Sequence, residues 1–290
     1  MYNVNIIQTG SSGNSIVIDD CIMIDCGLGR KTIGKLMETK IEKVFVSHQH
    51  GDHINMAVLK HLLKVRPTLI RYGLYLNSET LAKVQNQAPA VAAEFNPEHL
   101  LKSDSVLTFK TSSGEQYFVE TFKLYHDVEN QGFVFTKMST GETLLHATDT
   151  QSLKSAPDRE YDYILVEGNW DERTLQNMLD SDDPAEQFRA VRNLRHMSVQ
   201  AFERFARSHS KPTSVLVQLH ESGDLGVTSE LNGLNNDGRV SVEDKYVVHD
   251  ECVSSCHAMT SSSVAARGSV ICHQGKSQHY GEKSSKAMGS

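Results

Sequence analysis

Residues 44–56, VFVSHQHGDHINM, place three histidines and an aspartate within six residues, directly after an apolar run. His48 and His50 lie two residues apart, and Asp52 and His53 are adjacent. A turn leaving a strand can therefore aim the first pair at one cation and the second pair at another. Imidazole nitrogens and carboxylate oxygens suit zinc and similar divalent metals. The alternative is a polar loop with exposed histidines, but four such residues in this order are typical of a metal site.

Three more potential ligands follow apolar runs that have the pattern of strands: His126 in KLYHDV, Asp149 in HATDT and His220 in VQLHES. A single histidine at a strand end is more often structural than a ligand. Together, however, these residues complete two coordination sets, with Asp149 able to bridge them. We therefore expect two divalent metal ions, zinc or alternatively manganese, with the ligands His48, His50, Asp52, His53, His126, Asp149 and His220. We interpret the remaining histidines of this region as surface or packing residues: His61, His99, His146 and His209.

The glycine- and serine-rich segment TGSSGNS, residues 9–15, has two interpretations. It forms a tight turn between strands, or its exposed backbone N–H groups and hydroxyls bind phosphate oxygens, as anion-binding turns do. In the second case Ser11, Ser12 and Asn14 are substrate-binding residues. The segment is not a P-loop, because the lysine and the spacing of that motif are missing.

Composition excludes several classes of protein. The chain has 290 residues, 39% hydrophobic and 22% charged, which is typical of a globular protein. No apolar run approaches the ~18 residues that span a bilayer, and the first residues lack the pattern of a secretory signal. Five irregularly spaced cysteines do not form a disulfide framework, so we expect a cytoplasmic protein. The net charge of −7 argues against a surface that is basic overall, although RAVRNLR, residues 189–195, is either a local basic patch or a solvated helix face.

Strands and helices alternate in two successive batches, which predicts an α/β layered domain. The predicted strands are residues 2–8, 15–19, 21–26, 43–47, 68–77, 105–109, 117–125, 132–138, 142–150, 162–169 and 213–220. The predicted helices are residues 31–39, 55–65 (stopped by Pro67), 78–87 (opened by a serine cap), 171–180, 184–194 and 198–209.

The last part of the chain carries weaker patterns. NNDGR predicts a hairpin turn and is a near miss for a calcium loop. We expect one folded domain to occupy residues 1–250 and a disordered, Ser-rich tail to occupy residues 251–290. The cysteines and histidines of the tail match no common zinc pattern.

These segments together resemble the metallo-β-lactamase superfamily, and more closely its phosphodiesterase branch of YycJ-type nucleases and tRNase Z. The resemblance covers roughly residues 4–225 and is most specific in SHQHGDHI. GSSGNS with IMIDCGL is similar to the YycJ-type opening, in which the Asp25 position supports the metal loop. HDVENQGFVF and LLHATDT resemble the segments with the third histidine and the bridging aspartate. ILVEGNWD and RHMSVQAF, with Glu167 and His196, separate the phosphodiesterases from the lactamases.

The resemblance implies a four-layer αββα sandwich with the metals at the mouth between its sheets. It also implies that a dinuclear metal-bound hydroxide attacks phosphorus, with Asp52 among the catalytic residues. His196, oriented by Glu167, donates a proton to the leaving oxygen, and Ser198 is the small hydroxyl residue of the substrate site. The alternatives are a strand-end carboxylate in a local salt bridge for Glu167 and a solvent-exposed imidazole for His196.

We therefore expect a metal-dependent phosphodiester hydrolase, in its leading form a YycJ-like nuclease acting on nucleic-acid ends. One alternative is a tRNase Z-like phosphodiesterase that hydrolyses small cyclic nucleotides. This alternative is favoured by the acidic charge and by the lack of the long Gly- and Pro-rich arm of tRNase Z. The second is a non-catalytic protein that binds metal and nucleotides. The expected partners are a nucleic acid or cyclic nucleotide substrate and a second copy in a homodimer, with no membrane.

Overall fold

The computed structural model describes residues 1–220, and these contain two β-sheets and eight α-helices. Within this range, no helix is both long enough and apolar enough to cross a membrane. The predicted hairpin turn, the near-miss calcium loop, the domain boundary at residue 250 and the Ser-rich tail lie outside the described residues.

The first sheet has five strands in the order β1-β2-β3-β4-β5. The first three strands pair antiparallel, and β3, β4 and β5 pair parallel. Their bounds are β1 Val4–Gln8, β2 Ser15–Ile18, β3 Ile22–Ile24, β4 Lys43–Phe45 and β5 Leu74–Tyr75. The helices of this half are α1 Arg30–Thr39, α2 Met56–Val65, α3 Pro67–Gly73, α4 Ser78–Gln87 and α5 Pro89–Glu94, followed by a 3₁₀ turn at Pro97–His99.

The second sheet has six strands in the order β11-β10-β9-β8-β7-β6. The four strands β6 to β9 pair antiparallel, whereas β9, β10 and β11 pair parallel. Their bounds are β6 Val106–Lys110, β7 Gln116–Leu124, β8 Asn130–Lys137, β9 Thr143–Ala147, β10 Tyr161–Glu167 and β11 Ser210–Leu219. The helices of this half are α6 Glu172–Leu179, α7 Pro184–Asn193 and α8 Val199–His209.

Alternating side chains of the strands divide the interior into three hydrophobic layers. In β3, Ile22 and Ile24 pack between the two sheets, whereas Met23 packs against the helices of the first half. In β8, Phe133 and Phe135 pack between the sheets, and the opposite face packs against the helices of the second half. Because successive residues of a strand point to opposite faces, each sheet is covered on both sides. This confirms the predicted αββα sandwich.

The polar residues of interest follow the carboxyl ends of the strands. Asp25 follows β3, the histidine-rich loop follows β4, and Asp149 follows β9. Glu167 ends β10, and His220 comes directly after β11. Parallel strands end at the same edge of their sheet, which is where open α/β sheets bind ligands. The topology therefore collects residues that are far apart in the sequence.

The strand predicted for residues 68–77 is wrong. Pro67 stands at the first position of a new helix, α3, and a strand of only two residues, β5, follows it. Proline favours this position because its missing N–H group has no helical partner there and its φ angle is already helical. Leu69, Ile70 and Gly73 are the buried residues of the helix, a spacing that forms a helical face. The predicted cap of α4 also shifts by one residue, because Asn77 accepts the hydrogen bond from the N–H of Thr80.

Candidate metal centre

Asp25 holds the histidine-rich loop in place. Its side chain is 1% exposed and accepts hydrogen bonds from the N–H group and the hydroxyl of Ser47 at 2.8 and 2.9 Å. It also lies 2.7 Å from Nδ1 of His53. Burial alone raises the pKa of Asp25, but the charge and hydrogen bond of His53 outweigh burial and lower the pKa below its usual value. The contact at Nδ1 directs Nε2 of His53 towards the other potential ligands.

The first group of ligand atoms combines three imidazole nitrogens with a carboxylate. Nε2 of His48 lies 3.1 Å from Nδ1 of His50 and 3.3 Å from Oδ2 of Asp149. Nε2 of His126, which follows β7, lies 3.3 Å from Nδ1 of His50. One ligand atom from each of these four residues lies within 4.8 Å of the others. The two sheets thus contribute to the same cluster.

The second group shares Asp149 with the first. Nε2 of His53 lies 3.0 Å from Oδ2 of Asp149 and 3.6 Å from Oδ2 of Asp52. Nε2 of His220 lies 3.1 Å from Oδ1 of Asp149. These four residues also offer ligand atoms within 4.8 Å of one another. All seven residues predicted as ligands are therefore brought together, and Asp149 lies between the two groups.

The separations fit divalent metals. Two ligand atoms bound tetrahedrally to zinc, each at about 2.0–2.1 Å, lie about 3.3 Å from each other. The nitrogen–nitrogen separations of 3.1 and 3.3 Å in the first group agree with this value. In addition, Oδ1 of Asp149 and Nε2 of His220 are buried without a hydrogen-bond partner among the described residues. Buried polar atoms are rarely left unpaired, so these two atoms point to a missing ligand.

The charge states of His48 and Asp149 also suit a cation. Burial, together with the charge of His53, lowers the pKa of His48 to about 3, so this imidazole is neutral with a free lone pair near pH 7. Burial opposes ionisation of Asp149, but the charges of His53 and His220 outweigh it and hold the pKa of Asp149 well below its usual value. The carboxylate is therefore ionised. A neutral imidazole and an ionised carboxylate are the forms in which these side chains bind metals.

Three residues of this centre adopt left-handed backbone conformations. The φ angles of Asp25, Asp149 and His220 are 59°, 55° and 52°. Such conformations cost about 1–3 kcal/mol each outside glycine and persist only where the surrounding structure imposes them. The amide of Asn130 donates to the backbone oxygen of Asp149 at 2.7 Å, which fixes one of them. At two strand ends the strained residue thus turns its side chain into the cluster.

Asn169 is a residue of the site that the sequence did not reveal. Its amide nitrogen lies 2.9 Å from Nδ1 of His220 and donates to the backbone oxygen of His220 at 2.8 Å. The N–H group of His220 donates to the hydroxyl of Thr9 at 2.8 Å. Asn169 is only 4% exposed. The sequence held one signal for this role: Asn169 is a polar residue that closely follows the apolar run of a predicted strand, as the candidate ligands do.

Glu167 and His196 form a hydrogen-bonded pair beside the second group. Glu167 is fully buried, and its Oε1 accepts a hydrogen bond from the N–H group of Thr150. Its Oε2 lies 3.0 Å from Nδ1 of His196. Burial alone lowers the pKa of His196, but the hydrogen bond and the charge of Glu167 outweigh burial and raise it. Asp149, Glu167, His196 and His220 also offer ligand atoms within 4.8 Å of one another, so the pair adjoins the centre directly.

Two of the residues predicted to bind substrate, Asn14 and Ser198, have buried side chains. The amide of Asn14 is 4% exposed; it bonds to both backbone groups of Gly10 and lies 2.9 Å from Nε2 of His53. The hydroxyl of Ser198 is buried, donates to Glu172 at 2.9 Å and caps α8. Neither side chain faces solvent, and contact of either residue with a substrate stays a prediction.

The serines at the tip of the glycine-rich turn remain exposed. Ser11 and Ser12 both lie on the surface, and the hydroxyl of Ser12 accepts a hydrogen bond from Gln8 at 2.5 Å. The backbone oxygen of Asp52 accepts from the N–H group of Asn14 at 2.7 Å, which joins the turn to the metal loop. The turn therefore borders the second group, and contact of its serines with phosphate stays a prediction.

Comparisons with known proteins agree with this architecture. The family model of the beta-lactamase superfamily domain matches residues 21–218. The crystal structure of the short form of human tRNase Z is similar with a TM-score of 0.55 and 19% identity over 77% of this chain and 93% of that chain. The metallo-beta-lactamase fold protein YhfI from Bacillus subtilis is similar with a TM-score of 0.54 and 18% identity over 77% and 88%. A search of curated protein sequences finds no match.

At these identities the two structures establish the fold, and the family match covers more than half of the chain. The αββα layers agree with this fold. The chain belongs to the beta-lactamase superfamily and has the metallo-β-lactamase fold.

Proposed function

We propose that the protein is a metal-dependent phosphodiester hydrolase, and that its leading form is a nuclease acting on nucleic-acid ends. The observation that carries the proposal is the pair of Glu167 and His196 beside Asp149. Nδ1 of His196 lies 3.0 Å from Glu167 and 3.7 Å from Oδ1 of Asp149. An imidazole in this position is oriented for proton transfer at the edge of a metal centre.

The metals would be held by the two groups that share Asp149. His48, His50 and His126 would hold one cation, and Asp52, His53 and His220 the other. When bound, two divalent cations supply Lewis-acid chemistry, which activates water and neutralises the charge of a phosphate. Zinc suits the imidazole-rich donor set best, and manganese is the alternative.

The side chains of the protein would carry the proton transfer. Glu167 binds Nδ1 of His196, which leaves Nε2 to face the substrate. From there an imidazolium can donate its proton to the leaving oxygen as charge builds there. Buried and accepting a backbone hydrogen bond, Glu167 is itself fixed and orients the ring. Its role is to position His196 rather than to touch the substrate.

The experiment replaces His196 with Ala and compares two diesters. A diester with an ordinary alkoxide leaving group should be cleaved about 10²–10⁴ times more slowly, as expected for loss of a general acid. A diester with a nitrophenolate leaving group needs little protonation and should lose much less. His209→Ala is the matched control, since that imidazole stacks on Phe205 at the end of α8. It should leave both rates unchanged.

Equal losses on both diesters, with the metals retained, would show that His196 positions the phosphate and is not the acid. The same assay applied to single-stranded DNA, RNA and cyclic mononucleotides distinguishes the nuclease from the cyclic nucleotide hydrolase. Binding of these ligands without turnover of any of them, in protein that holds its metals, would favour the non-catalytic alternative. The homodimer stays a prediction, which light scattering tests.

A further inference from the structure

Helix α7 presents an unusual outer face. Its inner side is marked by Ala190, which is fully buried, and the helix packs against α6. On the opposite side Phe188 is 64% exposed and Val191 is 55% exposed. These are among the most exposed large hydrophobic residues of the described chain. A helix in a stable domain usually turns such residues inward, so this face is suited to a binding partner.

Arginines lie on the same face as the exposed phenylalanine. At 3.6 residues per turn, Arg192, four residues after Phe188, lies on its side of the helix. Arg195 follows the end of α7 at Asn193, and Arg189 borders the face. Residues 187–196 contain these three arginines and no acidic residue, in a chain whose net charge is −7. The face is therefore a local exception to the acidic character of the protein.

This face begins at the edge of the metal centre. Nη1 of Arg195 lies 2.9 Å from Oδ2 of Asp127, and Oδ1 of Asp127 lies 3.1 Å from Nε2 of His126. His196, the proposed acid, follows Arg195 in the sequence. Helix α7 ends at Asn193, two residues before Arg195, and Phe188 lies about 7.5 Å further back along the helix from Asn193. The arginines thus extend outward from the place where the scissile phosphate would be bound.

The chemistry of the face favours a polyanionic strand over a protein. Guanidinium groups match phosphate oxygens in a two-pronged geometry and are weakly hydrated. Proteins that bind single strands combine such positive charge with an aromatic side chain on which a base stacks. Arg189 and Arg192 form no ion pair with the residues that the structure describes, so their charges are available.

We propose that the α7 face, formed by Phe188, Arg189, Arg192 and Arg195, binds the single-stranded nucleic acid that flanks the scissile bond. The arginines bind its phosphates, and Phe188 stacks on a base. This proposal rests on the proposed hydrolase function. It takes the substrate of the enzyme to be a nucleic-acid polymer rather than a cyclic mononucleotide. A substrate that contacts both a metal-bound phosphate and Phe188 has to extend past Arg195, as a polymer does.

The test uses the double variant Arg189→Gln/Arg192→Gln in the full chain. Its affinity for a fluorescent thymidine oligonucleotide of about twelve nucleotides is measured at several salt concentrations. Each lost phosphate contact should reduce the slope of log affinity against log salt by about 0.7, and two contacts by about 1.4. Hydrolysis of the oligonucleotide, relative to that of bis(4-nitrophenyl) phosphate, should fall by about 10- to 100-fold. Arg173→Gln, an exposed arginine of α6, is the matched control and should change neither quantity.

The aromatic contact is tested separately. Phe188→Ala should weaken binding of the oligonucleotide by at least about fivefold without changing the salt slope, because stacking carries no charge. An unchanged affinity and salt slope in the double arginine variant would overturn the proposal. So would a wild-type dimer that Phe188→Ala separates in light scattering, because the occupant of the face would then be a second copy.

Failure of the hydrolase function gives a different result. In that case the wild type would cleave neither the oligonucleotide nor the small diester, yet its binding of the strand would still depend on the two arginines. That result would support the proposed binding surface and contradict the proposed enzymatic function. Conversely, cleavage of the small diester without measurable binding of the strand would contradict the proposed binding surface and support the proposed hydrolase function.

Discussion

Replacing Asn169 with Ala removes both contacts that its amide nitrogen makes with His220. These contacts are 2.9 Å to Nδ1 and 2.8 Å to the backbone oxygen, and both residues are at most 5% exposed. A buried polar group left without a partner costs about 1–3 kcal/mol. The amide oxygen of Asn169 is itself buried without a partner, so its removal offsets part of this loss. We expect the free energy of unfolding to fall by about 2–4 kcal/mol.

The larger consequence concerns the metals. A left-handed conformation, such as that of His220 with its φ of 52°, costs about 1–3 kcal/mol and needs contacts that impose it. Without Asn169 we expect the residue to relax and Nε2 to leave its position 3.1 Å from Asp149. Loss of a group that orients a metal ligand typically lowers metal affinity by about 10–100-fold. One of the two metal equivalents should therefore dissociate at much lower chelator concentration than in the wild type.

The assay measures metal content after dialysis against graded chelator, together with unfolding in urea. The control is Asp162→Ala, which removes partly buried contacts: Asp162 accepts from Thr143 at 2.9 and 3.1 Å and from Lys211 at 2.7 Å. This control should lose stability but keep both metals. If Asn169→Ala loses stability to the same extent and retains both metals with wild-type affinity, the positioning role of Asn169 is refuted.

Other substitutions test the remaining features. Asp149→Ala should lower the metal content from close to two ions per chain and abolish turnover, because the shared ligand is lost; metal analysis and a diester assay check this. Gly27→Ala should destabilise the fold and the metal loop, because a Cβ atom there would lie 1.7 Å from the backbone oxygen of Asp52. Gly29→Ala is the control, since a Cβ atom there meets nothing within 4 Å. Thermal melting compares the two variants. Burial alone raises the pKa of Asp162, but hydrogen bonds from Lys211 and Thr143 outweigh burial and lower the pKa in the folded state. The ionised carboxylate therefore stabilises the fold fully above its unfolded pKa of about 4. This stabilisation is lost as the pH falls through the lower pKa of the folded state. Urea unfolding should therefore show Asp162→Asn to be less stable than the wild type by about 1 kcal/mol at pH 7, and the difference should shrink below about pH 4.

The ligand residues were readable from the sequence because their signal is local. Four of them occupy residues 48–53, and the others each follow an apolar run. Strands of two sheets that end at one edge bring such residues together, whatever the distance between them along the chain. The alternation of strands and helices predicted an α/β layered domain, and the resemblance implied its four-layer αββα form. The candidate ligands were therefore predictable from short-range patterns.

Other features depended on contacts between distant residues. Residues 68–77 have the composition of a strand, but Pro67 and packing against the helices of the first half favour α3. Asn14 was predicted to face the substrate, yet it is buried against Asp52, 38 residues away. No sequence pattern within residues 9–15 predicts that the side chain of Asn14 is buried.

The sequence by itself determined which side chains can bind metal, because the types and spacing of the candidate ligands are visible within short segments. Only the tertiary structure decided how those side chains are aimed. The left-handed turn of His220, its contact with Asn169 51 residues away, and the position of Glu167 against Thr150 all arise between elements. Their physical reason is the same, because a strained backbone or a buried polar group is stable only when groups from elsewhere in the chain provide its hydrogen bonds.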